Sequence, residues 1–266
     1  NARGAAQPGI NASILKSLSI PFPSRSDQDR IAAILDKAVA VVRKREQAIT
    51  EADGLIRSFF LEMFGDPSLN PNGHQQVRLG DVAQFISGGT PSKRRSEFWD
   101  GSFPWVSPKD MKVEMIRDAE DHVSELAFGE TSLKKIPENT PLIVVRGMIL
   151  AHTVPIAITS REVAINQDMK AIKFAPEIDP VFGCWCLKAQ SERILRQVDT
   201  AAHGTKRIDM SRLSSLPMIV PGNNLQGEFV AVVRKTRDMQ ARLETALSES
   251  RQLLAALSQQ AFNGEI

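Results

Sequence analysis

Residues 27–64 read DQDRIAAILDKAVAVVRKREQAITEADGLIRSFFLEMF and contain no proline. Steps that alternate between three and four residues land on apolar side chains at eight of nine positions. These positions are Leu35, Ala38, Val42, Arg45, Ile49, Ala52, Ile56, Phe59 and Met63. An apolar repeat of 3.5 residues is typical of a coiled-coil seam. The stretch therefore predicts one long helix, roughly 57 Å at 1.5 Å per residue.

A second copy of this pattern follows at a constant offset of 198 residues (208 − 10 = 198). The matching pairs include Ile10 with Ile208, Asn11 with Asp209, Leu15 with Leu213, Leu18 with Leu216, Ile20 with Met218, Pro23 with Pro221, and Phe64 with Phe262. The second seam comprises Val233, Thr236, Gln240, Leu243, Leu247, Ser250, Leu254, Leu257 and Ala261. One offset without a gap over this span indicates an internal duplication.

Between the two helical stretches, residues 77–221 have a different composition, with glycine and proline punctuation and β-rich segments. Residues 141–145 and 152–159 are predicted strands, and residues 180–198 a helix. The sequence thus predicts an α+β chain in which a mixed α/β domain is flanked by two long helices, at 24–66 and 222–266, with a linker at 67–76. Ordinary amphipathic helices on one core are the alternative, but their length favours a helical spacer.

The bulk composition is that of a globular protein with a core, since 42% of the residues are hydrophobic and 24% are charged. The net charge of +2 does not by itself indicate nucleic-acid binding. Apolar runs long enough to span a bilayer are absent from the sequence, so no membrane partner is expected. Cys184 and Cys186 are expected to be buried, reduced thiols, which suits a cytoplasmic protein.

A search for catalytic motifs favours a binding protein. The sequence has no tyrosine and no Pro-Pro pair, which excludes the Asn-Pro-Pro-Tyr type of motif used by amino-methyltransferases. It also contains neither a glycine-rich dinucleotide fingerprint nor a phosphate loop. Asp110, Lys112 and Glu114 lie close together, but their order suits a polar surface segment better than a nuclease site. We therefore predict no catalytic residue, no metal site and no cofactor.

Several short motifs occur in a characteristic order along most of the chain. They are Leu79-Gly80-Asp81-Val82, Ile86-Ser87-Gly88-Gly89-Thr90-Pro91-Ser92, Phe98-Trp99-Asp100-Gly101, Pro104-Trp105-Val106-Ser107, Ile165-Asn166-Gln167-Asp168, Gly204-Thr205-Lys206-Arg207-Ile208-Asp209, and Leu216-Pro217-Met218-Ile219-Val220-Pro221. Leu61-Glu62-Met63-Phe64-Gly65-Asp66 precedes them as a helix ending. Individually most are weak, but their order resembles the target-recognition domain of type I restriction–modification specificity subunits.

In that family, two recognition domains are each followed by a long helix, and the helices pack as an antiparallel coiled coil. Each domain reads one part of a split site in double-stranded DNA. The subunit docks adenine-methylating modification subunits and, through the complex, translocating restriction subunits. The resemblance implies these partners here, with residues 1–23 as the closing element of a preceding recognition domain. It also implies that the chain is the C-terminal half of a specificity subunit, or a half-subunit that dimerises with itself.

The DNA-binding candidates are polar side chains in the predicted loops of the recognition domain. They are Lys93, Arg94, Arg95, Ser107, Lys109, Asn166, Gln167, Lys206 and Arg207. The cations suit phosphate contacts, and the two amides can pair with adenine. A structural hydrogen bond in the loop is an equal alternative for the Asn166-Gln167 pair, and core packing is expected for Trp99 and Trp105.

Two other functions remain open from the sequence. One is a recognition fragment of a self-contained restriction–methylation enzyme, which the upstream repeat copy disfavours. The other is a coiled-coil adaptor whose central domain binds something other than DNA. Salt-dependent DNA binding would separate the adaptor from a DNA-reading subunit.

Overall fold

The computed structural model describes residues 12–17, 22–200 and 204–265. These form two compact units: a helical unit, from the described parts of 1–53 and 237–266, and a central unit, residues 54–236. The expectations for Ile10, Asn11, Leu18 and Ile20 lie outside the described residues. The central unit is wider than the predicted domain at 77–221, because it includes one end of each long helix.

Two helices of 40 and 41 residues account for most of the helical structure. The α-helices are α1 (Ala12–Lys16), α2 (Arg25–Phe64), α3 (Leu79–Val82), α4 (Glu125–Glu130), α5 (Pro180–Ala189), α6 (Ser191–Leu195), α7 (Met210–Ser214) and α8 (Asn223–Asn263). The repeat recurs in these bounds, since α1 and α7 begin 198 residues apart (210 − 12), as do α2 and α8 (223 − 25). Helix α2 ends where Gly65, at φ 72°, adopts the left-handed conformation of a helix C-cap.

The strands belong to the central unit and are mostly short. They are β1 (Gln75–Arg78), β2 (Ala83–Ser87), β3 (Phe103–Val106), β4 (Met115–Ile116), β5 (Asp121–Val123), β6 (Pro141–Val144), β7 (Ile156–Thr159), β8 (Ala164–Ile165), β9 (Met169–Phe174), β10 (Val198–Thr200), β11 (Lys206–Ile208) and β12 (Pro217–Val220). The main sheet has the order β2-β9-β6-β7-β4, and a smaller one has the order β5-β3-β8. Two antiparallel pairs, β1-β12 and β10-β11, complete the unit.

Within the helical unit, α2 and α8 run antiparallel. The Gln240 side chain donates to the Ile49 carbonyl at 3.2 Å, and Arg251 pairs with Glu46 at 2.7 Å. Arg45 donates to the Ala246 carbonyl and the Ser250 hydroxyl. Partner numbers rise along α8 as they fall along α2, which is the signature of an antiparallel pair. Each of the predicted seam positions in both helices is buried or half-buried, and the α+β fold with paired long helices is confirmed.

The core of the central unit joins the helix ends to the sheet. Phe60 and Phe64 of α2 pack against Phe182 of α5 and Phe229 of α8, with ring centroids 5.0 to 5.8 Å apart. All four rings are fully buried. Such aromatic contacts in edge-to-face or tilted geometry contribute beyond their buried area. They fix the ends of both long helices to the rest of the central unit.

Three predicted elements differ from the structure. The helix predicted at 180–198 stops at Ala189, and α6 and β10 follow it, because the Gln190 amide donates to the Cys186 and Pro217 carbonyls and ties the chain to β12. The strand predicted at 152–159 begins only at Ile156. The linker predicted at 67–76 already contains the start of β1, since Gln75 pairs with Val220.

Candidate nucleic-acid interface

Four segments that are distant in sequence lie next to one another beside the ends of β2, β6, β9 and β11. They are residues 87–94, 145–148, 165–170 and 206–208. Strand β2 pairs with β9, and at its end the Lys170 ammonium donates to the Ser87 hydroxyl at 2.6 Å. The loop that follows β2 lies against the turn between β8 and β9, where Thr90 donates to the amide oxygen of Gln167. Residues 87–94 and 165–170 are therefore held together by side-chain hydrogen bonds as well as by the β2–β9 pairing.

Gly88 allows the close approach of these two segments. A Cβ atom added there would lie 2.1 Å from the carbonyl oxygen of Asn166 and 2.2 Å from that of Ile165. The neighbouring Gly89 donates its backbone N–H to Ile165 at 2.9 Å and accepts from the Trp105 indole at 2.9 Å. Only a residue without a side chain fits at position 88 without displacing the backbone.

The other two segments join through backbone hydrogen bonds. The N–H of Gly147 donates to the Lys206 carbonyl at 2.9 Å, and the N–H of Ile208 donates to Val145 at 2.8 Å. Arg146 and Arg207 form an isolated antiparallel bridge between them. The Asp168 carbonyl in turn accepts from the N–H of Val145 at 2.8 Å. We call residues 87–94, 145–148, 165–170 and 206–208 together the basic edge.

Cations outnumber acids on the basic edge. Its cations are Lys93, Arg94, Arg146, Lys170, Lys206 and Arg207, and its acid is Asp168. Asp168 is paired with Arg146 at 2.5 Å. Burial, together with the nearby Arg146 guanidinium, lowers the pKa of Lys170. Crowded cations of this kind gain stability when an anion lies between them.

Lys206 and Arg207 fall on the basic edge, as do the two predicted amides. The Lys206 ammonium donates to Thr200 at 2.7 Å, while the Arg207 side chain is exposed. Asn166 is only 8% exposed, and its side-chain oxygen accepts from the backbone N–H of Asp168 at 2.9 Å. Gln167 is exposed, and its side-chain oxygen accepts from the Thr90 hydroxyl. Of the two amide side chains, Gln167 is therefore the one that is accessible to a ligand.

The three consecutive cations at 93–95 have different environments. Arg94 is exposed, and its guanidinium has no ion-pair partner among the residues described. Lys93 is also exposed, 5.8 Å from the ring centre of Trp99. Arg95 instead pairs with Glu97 and Glu130 and lies 4.1 Å above the Phe98 ring. Its hydrogen bond with Glu130 contributes most to the raised pKa of Arg95. Arg95 thus stabilises the loop through these contacts, and its charge is already paired with two carboxylates.

Ser107 and Lys109 are not brought to the basic edge. Ser107 is 7% exposed, and its N–H and hydroxyl both donate to the Asp110 carboxylate at 2.8 and 2.9 Å. Lys109 pairs with Glu120 at 2.7 Å and Asp121 at 3.1 Å. The bond with Glu120 is the main cause of its raised pKa. Both side chains stabilise the turn that follows β3.

Sequence reasoning missed Arg146 and Lys170. Arg146-Gly147 directly follows the predicted strand at 141–145, and this signal for a loop cation was available. Lys170 lies inside strand β9, and only its pairing with β2 brings it beside Ser87. Trp105 is buried and Trp99 half-buried, in edge-to-face contact at 5.0 Å, which agrees with the expected core packing.

Across 12–17, 22–200 and 204–265, no group of three or more His, Cys, Asp or Glu residues is arranged to hold a metal ion. None of the helices in those ranges is long and apolar enough to cross a membrane. Cys184 and Cys186 are buried and are not joined in a disulfide, and burial raises the pKa of Cys186 to about 12.

Replacing Gly88 by alanine should lower the free energy of unfolding by about 1–3 kcal/mol, the usual cost of overpacking. The added methyl group meets backbone oxygens, which cannot rotate away as a side chain would. Urea unfolding of the full chain measures the effect. Gly89→Ala is the matched control, since its nearest neighbours would be 3.8 and 3.9 Å away. Equal losses in the two variants would contradict the close approach assigned to Gly88.

The model of the family described as "Type I restriction modification DNA specificity domain" matches residues 1–51 and 71–250. The specificity subunit of the type I restriction enzyme EcoR124I/EcoR124II from Escherichia coli is 32% identical over 228 residues. This match covers 83% of the chain and 55% of that relative. The chain thus spans about half the length of that relative.

Solved structures resemble the fold over nearly the whole chain. The HsdS subunit from Thermoanaerobacter tengcongensis has a TM-score of 0.53 at 20% identity, covering 99% of this chain and 65% of that one. The type I restriction–modification S subunit from M. genitalium has a TM-score of 0.61 at 18% identity, covering 98% of this chain and 67% of that one. At these identities the likeness concerns the fold alone.

Proposed function

Since the chain belongs to the family of type I restriction–modification DNA specificity domains, we propose that it recognises a DNA sequence and performs no chemistry on it. The observation that carries this proposal is the basic edge, where four distant segments present six cations and one acid. A surface of this kind suits a polyanion, since phosphate contacts supply most of the sequence-independent affinity for DNA.

The side chains of the basic edge divide into two groups by their chemistry. Arg94 and Arg207 are exposed cations suited to phosphate contacts, which set the register of the protein on the duplex. Gln167 offers its amide N–H groups and one remaining lone pair, which can meet hydrogen-bonding groups on a base edge. Thr90 orients that amide from the neighbouring loop. The residues that position the protein on the DNA backbone are thus different from the residue that contacts the bases, although all lie on the basic edge.

The wider assembly is also part of the proposal. The central unit would read one half of a bipartite target, and the paired helices would hold it at a fixed distance from a second recognition domain. Adenine-methylating modification subunits would dock on the chain, with restriction and translocase subunits joining through the complex. The second domain would come from further sequence of the same protein or from a second copy of this chain. The compartment would be the cytoplasm, where the thiols of Cys184 and Cys186 stay reduced.

The test is selection from a pool of random duplexes by the full chain, followed by affinity measurements at several salt concentrations. We expect one sequence pattern to be enriched. The logarithm of affinity should fall with the logarithm of salt by about 0.9 for each phosphate contact. Scrambled duplexes of the same length serve as the control for sequence preference.

Three results would contradict the proposal. Absence of enrichment, with equal affinity for selected and scrambled duplexes, would remove sequence recognition. Absence of duplex binding altogether would favour the coiled-coil adaptor instead. Transfer of methyl groups to DNA by the purified chain with S-adenosylmethionine would contradict the non-catalytic role.

A further inference from the structure

Met148 is an apolar side chain in the middle of a charged surface. Its side chain is 64% exposed, although the residue lies on the basic edge, two positions after Arg146. Its neighbour Gly147 hydrogen-bonds with the backbone of Lys206, which precedes Arg207. Burying such a side chain against another apolar group is favourable. The position therefore suits contact with an apolar feature of the ligand that the cations attract.

The backbone holds Met148 in a fixed place. Gly147 has φ 137° and ψ 162°, a conformation that L side chains rarely adopt, and its N–H donates to Lys206 at 2.9 Å. The following turn closes with N–H donation from Leu150 to Gly147 at 3.2 Å and from His152 to Ile149 at 3.1 Å. Leu150 is 1% exposed and anchors the turn in the core. An exposed methionine on an anchored turn loses little additional backbone freedom when it binds.

We infer that Met148 is a specificity-determining residue that contacts the C5-methyl group of a thymine. This inference rests on the proposed function and adds one base preference to it. The thymine methyl is an apolar group exposed in the major groove, and apolar side chains distinguish thymine by contact with it. Arg146 precedes Met148 by two residues, and Lys206 and Arg207 lie on the segment that pairs with this loop. Phosphates bound by these cations would flank Met148 and leave it opposite the groove between the two DNA strands.

Met148 and the cations contribute to DNA binding in different ways. Arg94 and Arg207 act on every sequence alike, because phosphates are the same at each base pair. Met148 acts at one base pair, where it buries a single methyl group. Removing one buried methyl or methylene group costs about fourfold in affinity, from the usual transfer free energy of such a group.

The experiment compares thymine with deoxyuridine, which lacks only the methyl group. Duplexes selected by the wild-type chain are made with each thymine replaced in turn, and their affinities are measured for the wild type, Met148→Ala and Met148→Leu. We expect one replacement to weaken wild-type binding about fourfold. The same replacement should have no effect on Met148→Ala and should keep its effect on Met148→Leu. Met239→Ala, at an exposed methionine of α8, is the matched control and should behave as the wild type.

Each other outcome overturns the inference. Selected patterns without thymine, or the same thymine preference in Met148→Ala as in the wild type, would remove the assigned contact. If Met148→Ala bound all duplexes more weakly by the same factor, Met148 would be inserted between base pairs without regard to their sequence. Unchanged DNA preference combined with loss of modification-subunit binding would indicate a protein contact. No duplex binding by the wild type would overturn the proposed function as well, so the two failures are distinguishable.

Discussion

Replacing Phe64 by alanine should lower the free energy of unfolding by about 3–5 kcal/mol, the usual cost of removing a buried aromatic side chain. Phe64 is fully buried, and its ring lies 5.0 Å from Phe182, 5.1 Å from Phe60 and 5.7 Å from Phe229. These neighbours come from α2, α5 and α8, so the cavity would be lined by three elements that cannot all move inward. Chemical denaturation of the full chain, monitored by circular dichroism, measures the loss.

The duplication supplies the matched control. Phe262 occupies the same repeat position as Phe64 (262 − 198 = 64), but its side chain is 68% exposed. Phe262→Ala should change the free energy of unfolding by no more than about 0.5 kcal/mol. Comparable losses in both variants would contradict the packing of the central unit as we describe it.

The same pair of residues shows what the sequence can and cannot predict. The 3.5-residue repeat predicts both long helices to within a few residues, because a helix places every third or fourth side chain on one face. The repeat makes Phe64 and Phe262 equivalent. Only the tertiary structure distinguishes them, since Phe182 and Phe229 surround the first ring.

Residues 180–198 show the limit for a shorter element. Their apolar composition predicts one helix, but the helical path ends at Ala189. The cause is a contact with Pro217, through the side chain of Gln190, that no local pattern contains. A tertiary hydrogen bond to a distant strand therefore decides where this helix ends.

The candidate site was predicted in part for a related reason. Loop position and residue type identify Arg94, Gln167 and Arg207 from the sequence alone. Lys170 required the sheet pairing, because its partner Ser87 lies 83 residues away. Arg146 could have been identified from the sequence, since it directly follows a predicted strand. Arg95 pairs with Glu130, and Lys109 pairs with Glu120. Neither ion pair follows from a local sequence pattern. The sequence shows where cations occur along the chain. The tertiary structure determines which of them are already in ion pairs and which can contact a ligand.

Removing Arg94 and Arg207 together should weaken duplex binding on the order of a hundredfold at low salt, given that a hydrogen bond to a charged group contributes about 1.5 kcal/mol or more. Both side chains are exposed on the basic edge and have no ion-pair partner in the part of the chain that the structure describes. Their loss therefore leaves no buried carboxylate behind, and the fold should keep its stability. Affinity for the selected duplex, measured by fluorescence anisotropy, gives the result.

The control changes the net charge by the same amount in the helical unit. Arg43 of α2 and Arg242 of α8 are exposed and likewise lack an ion-pair partner among the described residues. Arg43→Ala combined with Arg242→Ala lowers the net charge by two, as the first double variant does. Duplex affinity should stay close to that of the wild type, because neither arginine belongs to the basic edge, which we propose makes the phosphate contacts.

The salt dependence of duplex affinity in these two double variants tests the basic edge most directly. Each lost phosphate contact removes about one unit from the slope of the logarithm of affinity against the logarithm of salt. We predict a slope smaller by about two in the Arg94 and Arg207 variant, and an unchanged slope in the Arg43 and Arg242 variant. Equal slopes in both variants and the wild type would place the DNA-binding surface elsewhere on the protein.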